Sequence, residues 1–193
     1  MTIFVALVHH PVLNKVGEVV ATAVTNVDIH DVARSARTYG CRAVFIVTPV
    51  AEQQRLVGRI LHHWIEGEGS GVNPHRGEAM GHLRVLPSLA SAKAEIEATT
   101  GRAPIVVVTG AQLREGVLPY TELRRRITSA SDPVLLVFGT GHGLAPEILG
   151  SADLRLPALE RAHRDAGEPA YNHLSVRSAV AIVLDRLLGN LDE

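Results

Sequence analysis

Short runs of Val, Ile and Leu, punctuated by glycine, asparagine and proline, alternate along this chain with longer stretches whose apolar residues recur every three or four positions. The runs Ile3–His9, Ala21–Thr25, Ala43–Val47, Leu83–Leu86, Ile105–Thr109 and Pro133–Phe138 are short and mostly β-branched, and predict strands. Between them, Asp28–Tyr39 carries Ile29, Val32, Ala33 and Ala36 at helical spacing. Glu52–Gly67, Leu89–Thr99 and Pro119–Ser129 read the same way, and a last helix spans Ser175–Leu188 and stops at Gly189. This alternation predicts an α/β fold, a largely parallel sheet with helices on both faces, in a single domain over residues 1–193. The stretch Gly67–Gly77 holds four glycines and a proline between two predicted elements and predicts a long surface loop.

Composition narrows the class. A chain of 193 residues, 46% hydrophobic and 20% charged, can bury one sizeable core, and with only 4% aromatic residues that core is aliphatic. Cys41 stands alone, so no internal disulfide forms, and it reads as a small buried hydrophobe. The opening Met1–Leu7 lacks a basic leader, and no apolar run approaches the roughly 20 residues of a membrane span. A cytoplasmic protein without membrane contact is therefore expected. The formal charge of -1 excludes nucleic-acid binding by bulk electrostatics and leaves room for a local basic face. Two of the histidine pairs, His9-His10 and His62-His63, are adjacent and point apart, so no metal is expected.

Two segments stand out chemically. Phe138-Gly139-Thr140-Gly141-His142-Gly143-Leu144 follows a predicted strand, and its glycines let backbone approach a ligand closely. Tyr171-Asn172-His173-Leu174-Ser175-Val176 opens the last helix with free amides and polar side chains. Thr109-Gly110 and Leu156-Pro157 are further candidates, because open parallel sheets bind ligands beyond the carboxyl ends of their strands. The glycine spacing does not fit a dinucleotide fingerprint, and no Lys followed by Ser or Thr completes a phosphate loop.

Taken in order, Asp28–Gly40, Val137–Leu144 and Asn172–Ala179 resemble the three motifs of the SPOUT methyltransferases, RNA-modifying enzymes that use S-adenosylmethionine (SAM). The resemblance is to the bacterial group of stand-alone domains, sometimes fused behind a tRNA guanine-N1 methyltransferase, with a Gly-Thr-Gly turn and an Asn-His-Leu-Ser-Val-Arg-Ser loop. It implies a C-terminal deep trefoil knot, a homodimer with the pocket near the subunit interface, and tRNA or rRNA as substrate. It implies SAM held by Thr109, Gly110, Phe138, Gly139, Thr140, Gly141, His142, Gly143, Leu156, Pro157, Asn172, His173, Leu174 and Ser175. Arg34 matches an arginine that helps activate the ribose hydroxyl in 2'-O-methylating relatives. Asp28 stands where the family carries Asn, and reads either as a base or as a helix cap. Gly139-Thr140-Gly141 replaces the more usual Gly-Ser-Glu turn.

Other residues keep two readings. Arg177 contacts either the core or the cofactor carboxylate, and Arg124-Arg125-Arg126 either holds RNA phosphate or forms a solvated helix face. Two other function classes compete: a non-catalytic RNA-binding or dimerisation module that keeps the fold, and a nucleotide-binding oxidoreductase.

Overall fold

A computed structural model describes residues 2–129, 131–161 and 171–190. The elements in chain order are β1 Ile3–Val8, β2 Val12–Leu13, β3 Val19–Val20, α1 Asn26–Thr38, β4 Ala43–Val47, α2 Ala51–Ile65, α3 Glu68–Val72 and α4 Pro74–Gly81. The second half adds β5 Leu83–Leu86, α5 Leu89–Thr100, β6 Ile105–Val108, α6 Tyr120–Ser129, β7 Val134–Gly139, α7 Pro146–Gly150, β8 Leu154–Arg155 and α8 Val176–Leu188.

Six strands form one sheet in the order β5-β4-β1-β7-β6-β8, with every pairing parallel. The strand sequences are nearly continuous apolar runs because both faces are covered, as a parallel sheet requires. Alternate residues divide between two cores. Ile3, Val5, Leu7, Val44, Ile46, Val134, Leu136 and Phe138 pack under α1, α2, α4, α6 and α8. Phe4, Ala6, Val8, Phe45, Val47, Leu135 and Val137 face α5 and α7. Strand β7 is followed by a helix on one face, and its neighbours β1 and β6 lead to α1 and α6 on the other. The sheet therefore opens a crevice beyond the carboxyl end of β7.

Two expectations are corrected. Ala21–Thr25 is extended but joins no ladder: Thr22 N–H donates to the His9 carbonyl (2.8 Å), Val24 N–H donates to Gln53 Oε1 (2.7 Å), and Thr25 caps α1. Only Val24 of this segment is buried, so its apolar character comes from one anchor rather than from a sheet face. The strands at this point of the chain are the short antiparallel pair β2 and β3 just upstream.

Gly67–Gly77 is not a loop but carries α3 and the first half of α4. Asn73 caps α4 by accepting from Arg76 N–H (3.0 Å), and Pro74 opens the helix, where its missing N–H costs nothing. The glycines serve close packing: a Cβ on Gly69 would lie 2.7 Å from Trp64 Cε3, and one on Gly77 2.7 Å from the Trp64 carbonyl oxygen. The segment through which a knot would close includes residues 162–170 and lies outside the described residues.

Candidate active site

The glycine turn is built where β7 ends. Gly143 N–H donates to the Thr140 carbonyl (3.1 Å), and Gly141 and Gly143 take the left-handed φ values of 61° and 111° that the reversal needs. The turn is clamped to β2, because His142 N–H donates to the Leu13 carbonyl and Leu13 N–H to the Gly143 carbonyl, both at 2.9 Å. Gly139 permits the return of the chain, since a Cβ there would sit 2.8 Å from Leu144 N.

Thr140 is buried and fastens the turn to β1. Its backbone N–H and its hydroxyl both donate to the Val8 carbonyl, at 3.1 and 3.0 Å. The Thr140 Oγ1 lies 2.5 Å from Thr22 Oγ1, which in turn lies 3.1 Å from His9 Nδ1. With the Thr140 proton directed at Val8, Thr22 donates to Thr140 and His9 donates from Nδ1 to Thr22. His9 is then the Nδ1–H tautomer, its Nε2 buried and without a hydrogen-bond partner.

Protonating that ring would place a charge in a dry site, and burial lowers its pKa from 6.5 to about 4, against the weaker upward pull of the Asp28 carboxylate and the Ala23 backbone. The folded value lies below the unfolded one, so between pH 6.5 and about 4 the unfolded chain binds the extra proton and stability falls as pH falls. Urea titrations at pH 7.5 and pH 5 should differ by about 2 kcal/mol from His9 alone. His9→Gln should flatten that difference; an unchanged slope would show that His9 titrates normally.

The other predicted loops meet beside this turn. Thr109 N–H donates to the Val137 carbonyl (3.1 Å), placing Thr109-Gly110 next to Phe138-Gly139. Leu156 N–H donates to the Val108 carbonyl (2.9 Å), Ala158 N–H to that of Leu113 (3.1 Å), and Asn172 Nδ2 to that of Ala111 (2.9 Å). Phe138 and Leu156 spend their side chains in the core, which leaves backbone at those positions. His142, His173 and Leu174 are exposed, and His173 lies edge-on to Tyr171 with centroids 5.1 Å apart. Ser175 caps α8 through Ser178 N–H (3.3 Å), whereas Asn172 bridges loops and caps nothing.

Arg34 and Asp28 differ in their surroundings. Asp28 is buried at the start of α1, where Thr25 is the cap: Thr25 Oγ1 donates to the Asp28 carboxylate (2.5 Å) and accepts from Asp28 N–H (3.3 Å). The same carboxylate receives Arg177 Nη1 at 3.3 Å, and Arg177 Nε lies 3.4 Å from Asp31. Arg177 thus ties the Asn172–Ser178 segment to α1. Arg34 is exposed on α1, beside a groove that α1 shares with α2 and α4, and has no carboxylate partner among the described residues.

Two further expectations resolve. Arg124 donates to the carbonyls of Arg186 and Gly189, while Arg125 and Arg126 pair with Glu122, so that run braces α6 and the end of α8. Cys41 is buried, and burial pushes its thiol up to about 12. No group of three metal-ligating side chains occurs among the described residues, and no described helix is long and apolar enough to cross a membrane.

The sequence model of the SAM-dependent RNA methyltransferase family matches residues 2–189. The chain belongs to that family. It is 44% identical over 188 residues to a tRNA (guanine-N(1)-)-methyltransferase of Nitratidesulfovibrio vulgaris, covering 97% of this chain and 42% of that protein. The chain thus spans about two fifths of that relative's length. An uncharacterized protein of Aquifex aeolicus is 37% identical, over 96% of this chain and 87% of its own. The fold matches the SpoU methyltransferase AviRb from Streptomyces viridochromogenes, solved in complex with AdoMet, with a TM-score of 0.56, 14% identity, and 97% and 57% of the two chains covered. Family and fold agree with the SPOUT resemblance of the three motifs.

His9 and Thr22, which hold the glycine turn, escaped the sequence reading, as did the groove residues His30, Arg59, Trp64 and Arg76. The available signal was helical spacing: His30 and Arg34, and Arg59 and His63, each lie one turn apart on a helix.

Proposed function

We propose that this methyltransferase moves the SAM methyl group to tRNA, with SAM seated at the strand ends of β7, β6 and β8. The observation that supports this most directly is the convergence of Thr109-Gly110, Gly139–Gly143, Leu156-Pro157 and the Asn172 loop at the carboxyl end of the sheet, through backbone hydrogen bonds and the bond from Asn172 Nδ2 to the Ala111 carbonyl. The sulfonium already activates its methyl group, so the protein supplies position and help to the accepting atom. Backbone of the glycine turn approaches the cofactor, the Asn172 loop closes over it, and His142 and His173 offer exposed rings to it or to the RNA. Arg34 acts at the accepting nucleotide, and Asp28 acts through Arg177 to hold the Asn172 loop against α1. The tRNA substrate is suggested by the Nitratidesulfovibrio relative, a tRNA (guanine-N(1)-)-methyltransferase.

The reading includes a cytoplasmic homodimer. Tyr171 and Leu174, 81% and 48% exposed, lie on the Asn172 loop, where a second subunit would cover them.

Calorimetry with SAM should give a dissociation constant in the micromolar range, and labelled methyl should pass from SAM into bulk tRNA from cells lacking the protein. Light scattering of the same sample should give the mass of two chains. Absence of SAM binding at high micromolar ligand overturns the enzyme reading, and a single-chain mass overturns the dimer.

A further inference from the structure

Outside the sheet-end site, α1, α2 and α4 border a groove of about 590 Å³ lined in part by His30, Asp31, Arg34, Arg59, Trp64 and Arg76. Three guanidinium groups from three different helices reach it. Its one carboxylate, Asp31, is engaged by Arg177. Arg34 and Arg59 have no carboxylate partner among the described residues. On two of its lining side chains, His30 Nδ1 and Arg76 Nε are buried without hydrogen-bond partners.

These side chains are fixed rather than loose. Arg76 stacks on Trp64 with its guanidinium carbon 4.6 Å from the ring centroid, and His30 and His63 meet that ring edge-on with centroids 5.5 and 5.0 Å away. Gly69 packs against the same indole. Stacking engages the face of the guanidinium and not its N–H groups. The indole is already contacted on these sides, so the groove suits phosphate better than a stacked base.

We infer that this groove is a phosphate-binding subsite for the RNA strand flanking the target nucleotide, in which Arg59 and Arg76 act together with Arg34. The inference rests on the RNA-methylation reading and adds to it the path of the strand. Bidentate guanidinium–phosphate contacts favour arginine, and phosphate contacts set the register of the strand. A local cluster of this kind also reconciles RNA binding with a formal charge of -1. Burial, and next the neighbouring Arg76, lower the His30 pKa, as the positive potential of an anion site would. The adjoining groove along α2 differs, because there Arg55 pairs with Glu52 and His62 with Glu66.

The test uses the full chain and bulk tRNA from cells lacking the protein, with affinity measured by fluorescence anisotropy across a salt series. Arg59→Ala removes an exposed side chain without a carboxylate partner and should fold normally; Arg76→Lys keeps the charge and loses the planar fork. Arg59→Ala should weaken binding about tenfold near physiological salt and lower the salt slope by about one phosphate contact, and Arg76→Lys should weaken binding severalfold. SAM affinity should be unchanged in both. Lys93→Ala, on α5 across the sheet, removes one exposed cation as a control and should leave tRNA affinity within twofold. If the wild type methylates tRNA while both groove variants bind it like the Lys93 variant, the groove inference fails and the enzyme reading stands. If the wild type binds tRNA through the groove but transfers no methyl group, the enzyme reading fails instead. Absence of tRNA binding overturns both.

Discussion

Gly141→Ala should destabilise the protein by about 3 kcal/mol and weaken SAM binding by more than tenfold. Two independent effects combine. Gly141 has a φ of 61°, where an L side chain costs on the order of 1 kcal/mol. Its new Cβ would also sit 2.8 Å from the Leu13 carbonyl oxygen, which is backbone and accepts the His142 N–H. Relieving that contact means separating β2 from the turn, which breaks the reciprocal pair between Leu13 and residues 142 and 143. The turn would then lose its position relative to Thr109-Gly110, and the cofactor its preformed seat. Gly58→Ala gives the contrast. Gly58 lies inside α2 with open space around its Cβ direction, so alanine there should raise stability by about 0.5–1 kcal/mol. Thermal melts and SAM calorimetry on the two variants decide the matter; a Gly141→Ala protein with wild-type melting and affinity would show that the turn does not hold the ligand.

The contrast between these two glycines marks how far the sequence could be read. Elements dictated by nearest neighbours were legible: the Val- and Ile-rich strands β1, β4, β6 and β7, and the helices with apolar residues at helical spacing. The glycine turn was legible because it lies directly after such a strand. Features decided by distant partners were not. Gly69 and Gly77 read as loop residues, yet each is small because Trp64 lies against it. Ala21–Thr25 reads as a strand because Val24 and its small neighbours look β-like, yet Gln53 and the end of β1 take its hydrogen bonds. The Thr140–Thr22–His9 chain joins residues more than a hundred positions apart and leaves no local pattern. The same holds for the arginine groove, whose three cations come from α1, α2 and α4 and meet only because α3 and α4 fold back on Trp64.

Arg34→Ala should lower kcat by about 100-fold while leaving SAM affinity within twofold. SAM would supply an activated methyl group, and the accepting group must lose a proton, so negative charge would develop on the acceptor as that proton leaves. A guanidinium directed at that charge stabilises the transition state more than the ground state, and a 100-fold loss corresponds to about 2.7 kcal/mol. Arg34 is suited to this role. It is exposed, rigidly based on the middle of α1, and not neutralised by a carboxylate among the described residues. Asp28 is in the opposite condition, buried and occupied by Thr25 and Arg177. Its removal should act on SAM affinity through the Asn172 loop rather than on the chemical step. Arg34→Lys keeps the charge and loses the fork, so it should recover only part of kcat. The split between kcat and KM decides the assignment. A variant that keeps kcat and raises only KM for tRNA would confine Arg34 to the phosphate contacts of the groove, beside Arg59, and would remove it from the reacting centre.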